Sequence, residues 1–178
     1  MAELHVLGHL ICSQHFTEKY SLYCRFTVQA GPNWTLLSGS SEGQTAAGKP
    51  NPDKCVKWIH PLDIHFVTRG IQGWPKLLLQ VNCLDSLGRS WVVGYSCTSL
   101  PTVPGYHKIR VPCWLPTATS ILDRLRQYFL GGSHEISQND IITLGIDRFK
   151  LSTQSKGSID LNICIILRNF NKFGVEYK

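Results

Sequence analysis

Hydrophobic and polar residues alternate along much of this 178-residue chain. Alternation with a period of two places successive side chains on opposite faces of an extended strand. Four segments show the pattern, and their apolar positions are Leu4, Val6 and Leu10; Leu22, Cys24, Phe26 and Val28; Leu77, Leu79, Val81 and Cys83; and Trp91, Val93, Tyr95 and Cys97. The pattern predicts strands that bury one face and leave the other in water.

A hairpin is predicted towards the end of the chain. Phe149 and Leu151 alternate with basic residues, the polar stretch TQSKGS (153–158) is typical of a turn, and apolar positions then return on a second strand. The apolar positions of that second strand are Leu161, Ile163, Ile165 and Leu167. Two alternating segments around a polar turn indicate antiparallel pairing.

Gly, Pro and Ser punctuate the connections between these strands, at 38–54, 68–75, 100–105 and near 112–116. Antiparallel strands with such turns are typical of a β-sandwich. We therefore predict an all-β fold, an antiparallel β-sandwich of about eight strands. No repeat or linker divides the chain, so a single domain spanning residues 1–178 is expected.

One short amphipathic helix is predicted between the strands. Ser120 is a suitable N-cap with Asp123 three residues later, and Gly131-Gly132 ends the segment. Its apolar face consists of Ile121, Leu122, Leu125, Tyr128 and Phe129. Covering one end of the sandwich is the favoured role, and docking a partner is the alternative.

The composition indicates a globular protein that works in a reducing compartment. The chain is 43% hydrophobic and 17% charged, and its first residues lack the basic region of a signal peptide. Glycosylation at the sequon Asn33-Trp34-Thr35 is therefore not expected. The seven cysteines include no CxxC pair, and several lie at apolar strand positions, which predicts small buried thiols.

The net charge of +6 leaves two kinds of partner to consider. The basic residues are scattered, and the nearest approach to a cluster is Arg124 with Arg126 and Arg148 with Lys150. A solvated surface explains this distribution better than a nucleic-acid footprint. A weak attraction to acidic membranes or acidic partners stays open.

Asp85 follows an apolar strand in the stretch GWPKLLLQVNCLDSLGR (73–89), where it is either a calcium ligand or a turn-former. Calcium takes about six to eight oxygen ligands, usually with several carboxylates converging. The long 38–54 segment, which is expected to face this loop, offers only Glu42 and Asp53 as further acids. Asp85-Ser86-Leu87-Gly88, in contrast, matches a type I turn with Asp first and Gly last. We therefore predict a turn-former.

The histidines give no metal site at their spacing along the chain. His5 and His9 on one strand lie about 13 Å apart by strand rise, and His60 and His65 fall on opposite faces of an extended segment. No GxSxG, P-loop or GxGxxG motif occurs. No catalytic, metal or cofactor residue is predicted, although a chance Cys–His dyad is not excluded by the sequence.

Four segments, 36–45, 60–81, 85–95 and 167–175, resemble the B9 domain family in order and spacing. The resemblance implies a C2-like β-sandwich without enzymatic activity or cofactor. It further implies a scaffold subunit of the tectonic-like (Meckel syndrome) complex, located in the cytoplasm and cytoskeleton at the ciliary basal body and transition zone. There the family supports cilium assembly and the barrier to ciliary membrane proteins.

The same resemblance implies two partners, B9 domain-containing protein 1 and the Meckel syndrome type 1 protein, and no nucleic acid. A calcium-independent peripheral adaptor for acidic phospholipids is the alternative function. The family pattern falls on Gly73, Trp74, Pro75, Asp85, Gly88, Gly94, Tyr95, Arg168, Asn169 and Phe170. These residues are expected to be structural or to contact a partner.

Overall fold

The computed structural model describes residues 1–117 and 152–174. The predicted helix that begins at Ser120, the basic residues 124, 126, 148 and 150, and the apolar residues Phe149 and Leu151 lie outside these ranges. No helix in the described part is long and apolar enough to cross a bilayer.

Nine antiparallel strands form this part of the chain, with a 3-10 helix at Phe170–Phe173. In chain order the strands are β1 (Ala2–Gln14), β2 (Ser21–Gln29), β3 (Trp34–Gly39), β4 (Glu42–Gln44), β5 (Cys55–Thr68), β6 (Lys76–Leu84), β7 (Ser90–Ser99), β8 (Gly105–Pro116) and β9 (Thr153–Arg168). The predicted all-β fold is confirmed.

The strands form one continuous sheet in the order β3-β5-β1-β9-β8-β7-β6-β2-β4. Strands β7 and β8 are joined at a single residue pair, Tyr95 with Trp114. The sheet therefore consists of two arms that meet at this narrow junction. The first arm contains the five strands β3, β5, β1, β9 and β8, and the second arm contains the four strands β7, β6, β2 and β4. Folding the arms against each other produces the two layers of a sandwich.

The alternating apolar residues of both arms meet in one buried cluster. Leu4, Val6 and Leu10 come from the first arm, while Leu22 and Cys24 come from the second. Contacts also cross between the arms: the Trp58 indole donates a 3.0 Å hydrogen bond to the carbonyl of Leu22. The predicted inward faces of β1, β2, β6 and the later part of β9 are thus confirmed.

Three segments that the sequence predicts to be connections are partly or wholly strands. Residues 42–44 of the 38–54 segment form β4, the PCWLP segment is the end of β8, and TQSKGS is the start of β9. The turn prediction for TQSKGS was wrong because pairing, rather than burial of side chains, holds that stretch. Its backbone pairs with β8 from Thr153, opposite Pro116, to Ser158, opposite Pro112.

The predicted common face of Trp91, Val93, Tyr95 and Cys97 is interrupted by a β-bulge. Val81 pairs with Gly94 and Asn82 with Val92, so Val93 is the additional residue on β7. An additional residue reverses the alternation beyond it. Trp91 and Val93 accordingly face the main core, while Tyr95 and Cys97 belong to a small second cluster with Leu78 and Leu115.

Candidate functional site

The segment Gly73-Trp74-Pro75 forms a fixed corner ahead of β6. Gly73 adopts a positive φ of 75°, and its carbonyl accepts a 2.8 Å hydrogen bond from the amide of Gly31. The Trp74 indole donates to the carbonyl of Leu100 at 2.9 Å, and the Leu100 amide donates to the carbonyl of Pro75 at 3.1 Å. The corner therefore connects the loops before β3 and after β7.

An aromatic cluster lies against this corner and unites distant parts of the chain. Trp74 contacts Trp34 edge-on at 5.1 Å between ring centroids, and Phe170 lies 6.0 Å from Trp74 and 6.4 Å from Trp34. Phe173 joins at 6.4 Å from Phe170. Offset and edge-on rings of this kind add to the stability gained from burial alone. The cluster closes one end of the sandwich.

The predicted family residues Arg168, Asn169 and Phe170 lie where β9 ends, and of the three Phe170 enters this cluster. Asn169 has a positive φ of 61° and precedes the 3-10 helix, and Phe170 is 1% exposed. Arg168 points elsewhere, since its Nη1 lies 3.5 Å from Oε2 of Glu3. The fold thus brings Trp74 and Phe170 together, whereas Arg168 contributes to the outer surface.

Asp85 directs a tight turn between β6 and β7. Its Oδ1 accepts hydrogen bonds from the amides of Leu87 (2.9 Å) and Arg89 (2.8 Å), and its Oδ2 accepts one from Nε of Arg89 (2.8 Å). The amide of Gly88, whose φ is 81°, donates to the Asp85 carbonyl at 3.3 Å. These contacts are those of the turn-former that the sequence predicts.

The electrostatics of Asp85 follow from the same contacts. Burial by itself raises the pKa of this carboxyl, but the hydrogen bonds from Arg89 and Leu87 and the Arg89 charge outweigh it and lower the pKa below 3.8. A carboxylate whose oxygens already accept three donors is poorly available to a cation.

Glu42, one of the two acids named in the calcium alternative, is far from this turn. Leu84, next to Asp85, pairs with Ser21, while Glu42 pairs with Thr27 at the other end of β2. Six residues of strand separate the two levels by about 20 Å. Glu42 and Asp85 therefore cannot bind one ion.

Gly94 and Tyr95 occupy the bulge region of β7. A Cβ at Gly94 would lie 3.2 Å from both the Cys113 Cβ and the Phe16 ring, so the position is closely packed. Tyr95 is buried and lies 5.9 Å from the Trp114 ring at the junction between the arms. Both residues have a packing role here.

All seven cysteines are free thiols, and four of them, Cys12, Cys24, Cys83 and Cys113, are buried. Burial raises the pKa of Cys83 and of Cys113 to about 12, and that of Cys12 to about 11. Thiols with a raised pKa contain little of the nucleophilic thiolate at neutral pH. The buried thiols are therefore part of the packing.

A cluster on the outer face of the first arm was missed by reasoning along the sequence. His5 and His65 are directly paired across β1 and β5, and their rings stack with centroids 3.6 Å apart. Oε2 of Glu3 lies 3.9 Å from Nε2 of His5 and 3.7 Å from Nε2 of His65. His60 faces the opposite side, near Phe26, as the odd spacing predicts.

Comparison with known proteins shows the family of this chain. Residues 4–166 match the family model B9-C2, described as "Ciliary basal body-associated, B9 protein". The chain belongs to the B9 family. It is 43% identical to B9 domain-containing protein 2 of Danio rerio and 42% identical to that of Homo sapiens, in each case over 99% of both chains.

Two more distant B9 relatives extend the match. B9 domain-containing protein 2 of Drosophila melanogaster is 35% identical over the full length of both chains, and B9 domain-containing protein 1 of Mus musculus is 28% identical over 92% of this chain and 81% of its own. Among solved structures, the C2A domain of plant extended synaptotagmin 1 aligns with a TM-score of 0.49 and 11% identity, over 94% of each chain.

Proposed function

We propose that this chain is a non-enzymatic scaffold subunit of the tectonic-like complex at the ciliary transition zone. Its partners in this role are B9 domain-containing protein 1 and the Meckel syndrome type 1 protein, and its work is to support cilium assembly and the diffusion barrier for ciliary membrane proteins. The observation that carries the proposal is the 42–43% identity to B9 domain-containing protein 2 over 99% of the length of both chains. Such coverage supports one B9 module spanning residues 1–178.

The architecture supports binding rather than catalysis. The Asp85 carboxylate is consumed by its own turn, and the buried thiols have raised pKa values. Neither feature supplies the activated nucleophile or base that an active site requires. These two features support a role carried by the surface of the fold.

The edge of β3 is the surface proposed to receive a sister B9 domain. Strand β3 is terminal in the sheet and pairs with β5 on one side only, within the described residues. It exposes two adjacent apolar side chains, Leu36 and Leu37, the latter 57% exposed. An edge strand with free backbone groups and apolar side chains is suited to pairing with a strand of another chain.

Peripheral membrane binding is the alternative function, and the ion pairs reduce its support. Arg89 is engaged by Asp85 and Arg110 by Asp160, each at 2.8 Å. Guanidinium groups already paired with carboxylates are less available to acidic headgroups. Scaffold assembly is therefore the function that these residues favour.

Co-purification of this chain with the two partners tests the proposal, using a matched pair of variants. Leu37→Asp places a charge on the β3 edge, and Leu87→Asp places one on the Asp85 turn, where the side chain is 77% exposed. We expect Leu37→Asp to weaken association by tenfold or more, which corresponds to about 1.4 kcal/mol of binding free energy. Leu87→Asp should leave association unchanged.

Two results would contradict the proposal. Failure of the wild-type chain to associate with either partner rejects the scaffold role. Equal binding by wild type and Leu37→Asp rejects the β3 edge as the contact. Flotation with acidic phospholipid vesicles in the presence of a chelator distinguishes the alternative, because a membrane adaptor floats without any partner.

A further inference from the structure

The outer face of the first arm carries a group of side chains with the chemistry of a transition-metal site. Two imidazoles and one carboxylate, those of His5, His65 and Glu3, place one ligand atom each within 4.8 Å of one another. Among residues 1–117 and 152–174, no other group of three or more His, Cys, Asp or Glu side chains converges in this way. Imidazole nitrogen and carboxylate oxygen are ligands that Zn²⁺ accepts.

The sheet itself produces the convergence. His5 and His65 are directly opposite each other on antiparallel strands, and Glu3 lies two residues before His5, on the same face of β1. Opposite side chains on neighbouring strands have Cβ atoms about 5 Å apart. The three side chains are therefore held by paired backbone and not by a loop.

The distances suit an ion once the two imidazoles, which are stacked with an interplanar angle of 21°, rotate so that their Nε2 lone pairs converge. Zn–ligand bonds of about 2.0–2.1 Å in a tetrahedral site place ligand atoms about 3.3 Å apart. Glu3 Oε2 now lies 3.9 Å and 3.7 Å from the two Nε2 atoms. These separations are too long for hydrogen bonds but close to those around a shared cation.

The Nε2 atom of His65 is an independent indication of a ligand site at this cluster. It is buried and has no hydrogen-bond partner in the described part of the chain. Buried polar atoms nearly always have a partner, and leaving one unsatisfied costs about 1–3 kcal/mol. A metal ion at the convergence point would satisfy this nitrogen.

We propose that Glu3, His5 and His65 bind one zinc ion, with water in the remaining position. The ion would link β1 to β5 on the outer face, and its charge would be partly neutralised by Glu3. Arg168 is the opposing influence, because its Nη1 lies 3.5 Å from Glu3 Oε2. Its side chain is 70% exposed, so the guanidinium can move into water when the ion binds.

Calorimetric titration of the full chain with ZnCl2, after metal stripping and with thiols kept reduced, tests this site. We expect one Zn²⁺ per chain and no binding of Mg²⁺, which prefers oxygen ligands. His65→Asn and Glu3→Gln should each weaken Zn²⁺ binding by tenfold or more. His9→Asn, on an exposed position of the same strand, is the matched control and should bind as wild type does.

Two further measurements keep the result independent of folding defects and of the cysteines. Arg168→Gln removes a neighbouring positive charge and should tighten Zn²⁺ binding several-fold. Nitrogen-15 spectra of the imidazoles should show that Zn²⁺ shifts the Nε2 signals of two histidines only. The proposal is overturned if wild type binds no Zn²⁺ at up to about 100 μM, if His65→Asn binds as wild type does, or if Arg168→Gln leaves the affinity unchanged.

Discussion

The backbones of Gly31 and Gly73 touch, so that a Cβ atom built on Gly73 would lie 2.5 Å from the Cα of Gly31. Their contact holds the corner before β6 against the loop before β3. Because Trp74 follows Gly73 directly, this contact also fixes where the Trp74 indole enters the aromatic cluster.

Gly73→Ala should strongly destabilise the protein. The variant combines the strain of a positive φ, about 1–2 kcal/mol, with an overlap against backbone that costs a further ~1–3 kcal/mol. Gly88→Ala is the matched control, since its φ is also positive but nothing lies within 4 Å of the added Cβ. Urea unfolding measures both, and equal losses in the two variants would show that the Gly31 contact has no cost of its own.

Phe170→Ala should lower the free energy of unfolding by about 3–5 kcal/mol, because it empties the centre of the aromatic cluster. Ile166→Ala, four residues earlier and 46% exposed, should change it by less than about 0.5 kcal/mol. Both values come from urea unfolding followed by tryptophan fluorescence. A small effect of Phe170→Ala would mean that the cluster does not close this end of the sandwich.

Asp85→Asn should lower the melting temperature by a few degrees, because an amide donor then faces Nε of Arg89. The pKa of Asp85 is lowered in the folded chain, so its contribution to stability is present above pH 3.8 and is lost as the pH falls. The variant should therefore lose less stability than wild type on acidification. Thermal melts between neutral pH and pH 3 measure the difference.

Calcium should leave the melting temperature of wild type unchanged, since Asp85 already accepts three hydrogen bonds. Melts in millimolar Ca²⁺ and in chelator compare the two conditions directly. A rise with Ca²⁺ that disappears in Asp85→Asn would restore the calcium-ligand interpretation.

Alkaline pH should destabilise the fold through its buried thiols. The pKa of Cys113 is raised by burial from 9.0 to about 12, so its contribution to stability is full below pH 9 and is lost as the pH rises towards 12. The expected loss is up to about 1.4 kcal/mol per pH unit for this thiol. Cys113→Ala should unfold in urea with a smaller dependence on pH between 8 and 10.5, whereas Cys164→Ala, at a partly exposed position, should resemble wild type.

Much of the fold could be predicted from local patterns. The inward faces of β1, β2 and β6 follow from alternation, because a strand with one buried face must place apolar residues at every second position. The turn at Asp85 and Gly88 follows from the same kind of local chemistry. The strand at residues 153–158 was not predicted, because its residues are polar. Pairing with β8 holds this strand, and such pairing leaves no hydrophobic pattern in the sequence.

The bulge at Val93 shows a second limit of predicting the fold from the sequence. The sequence of β7 reads as unbroken alternation, and only the register against β6 reveals the additional residue. The reversal of Tyr95 and Cys97 is therefore a property of the pair of strands and not of β7 alone.

By itself, the sequence determined that the chain is an antiparallel β-sandwich with reduced thiols, a stabilised Asp85 turn and the pattern of the B9 family. The tertiary structure decided which strands are neighbours, and with that the meeting of Trp74 with Phe170 and of His5 with His65. The physical reason is that periodicity fixes only the face of a residue. A shift of register by two positions leaves every face unchanged but gives each residue a new partner, so the choice among registers is made by packing of the whole sheet.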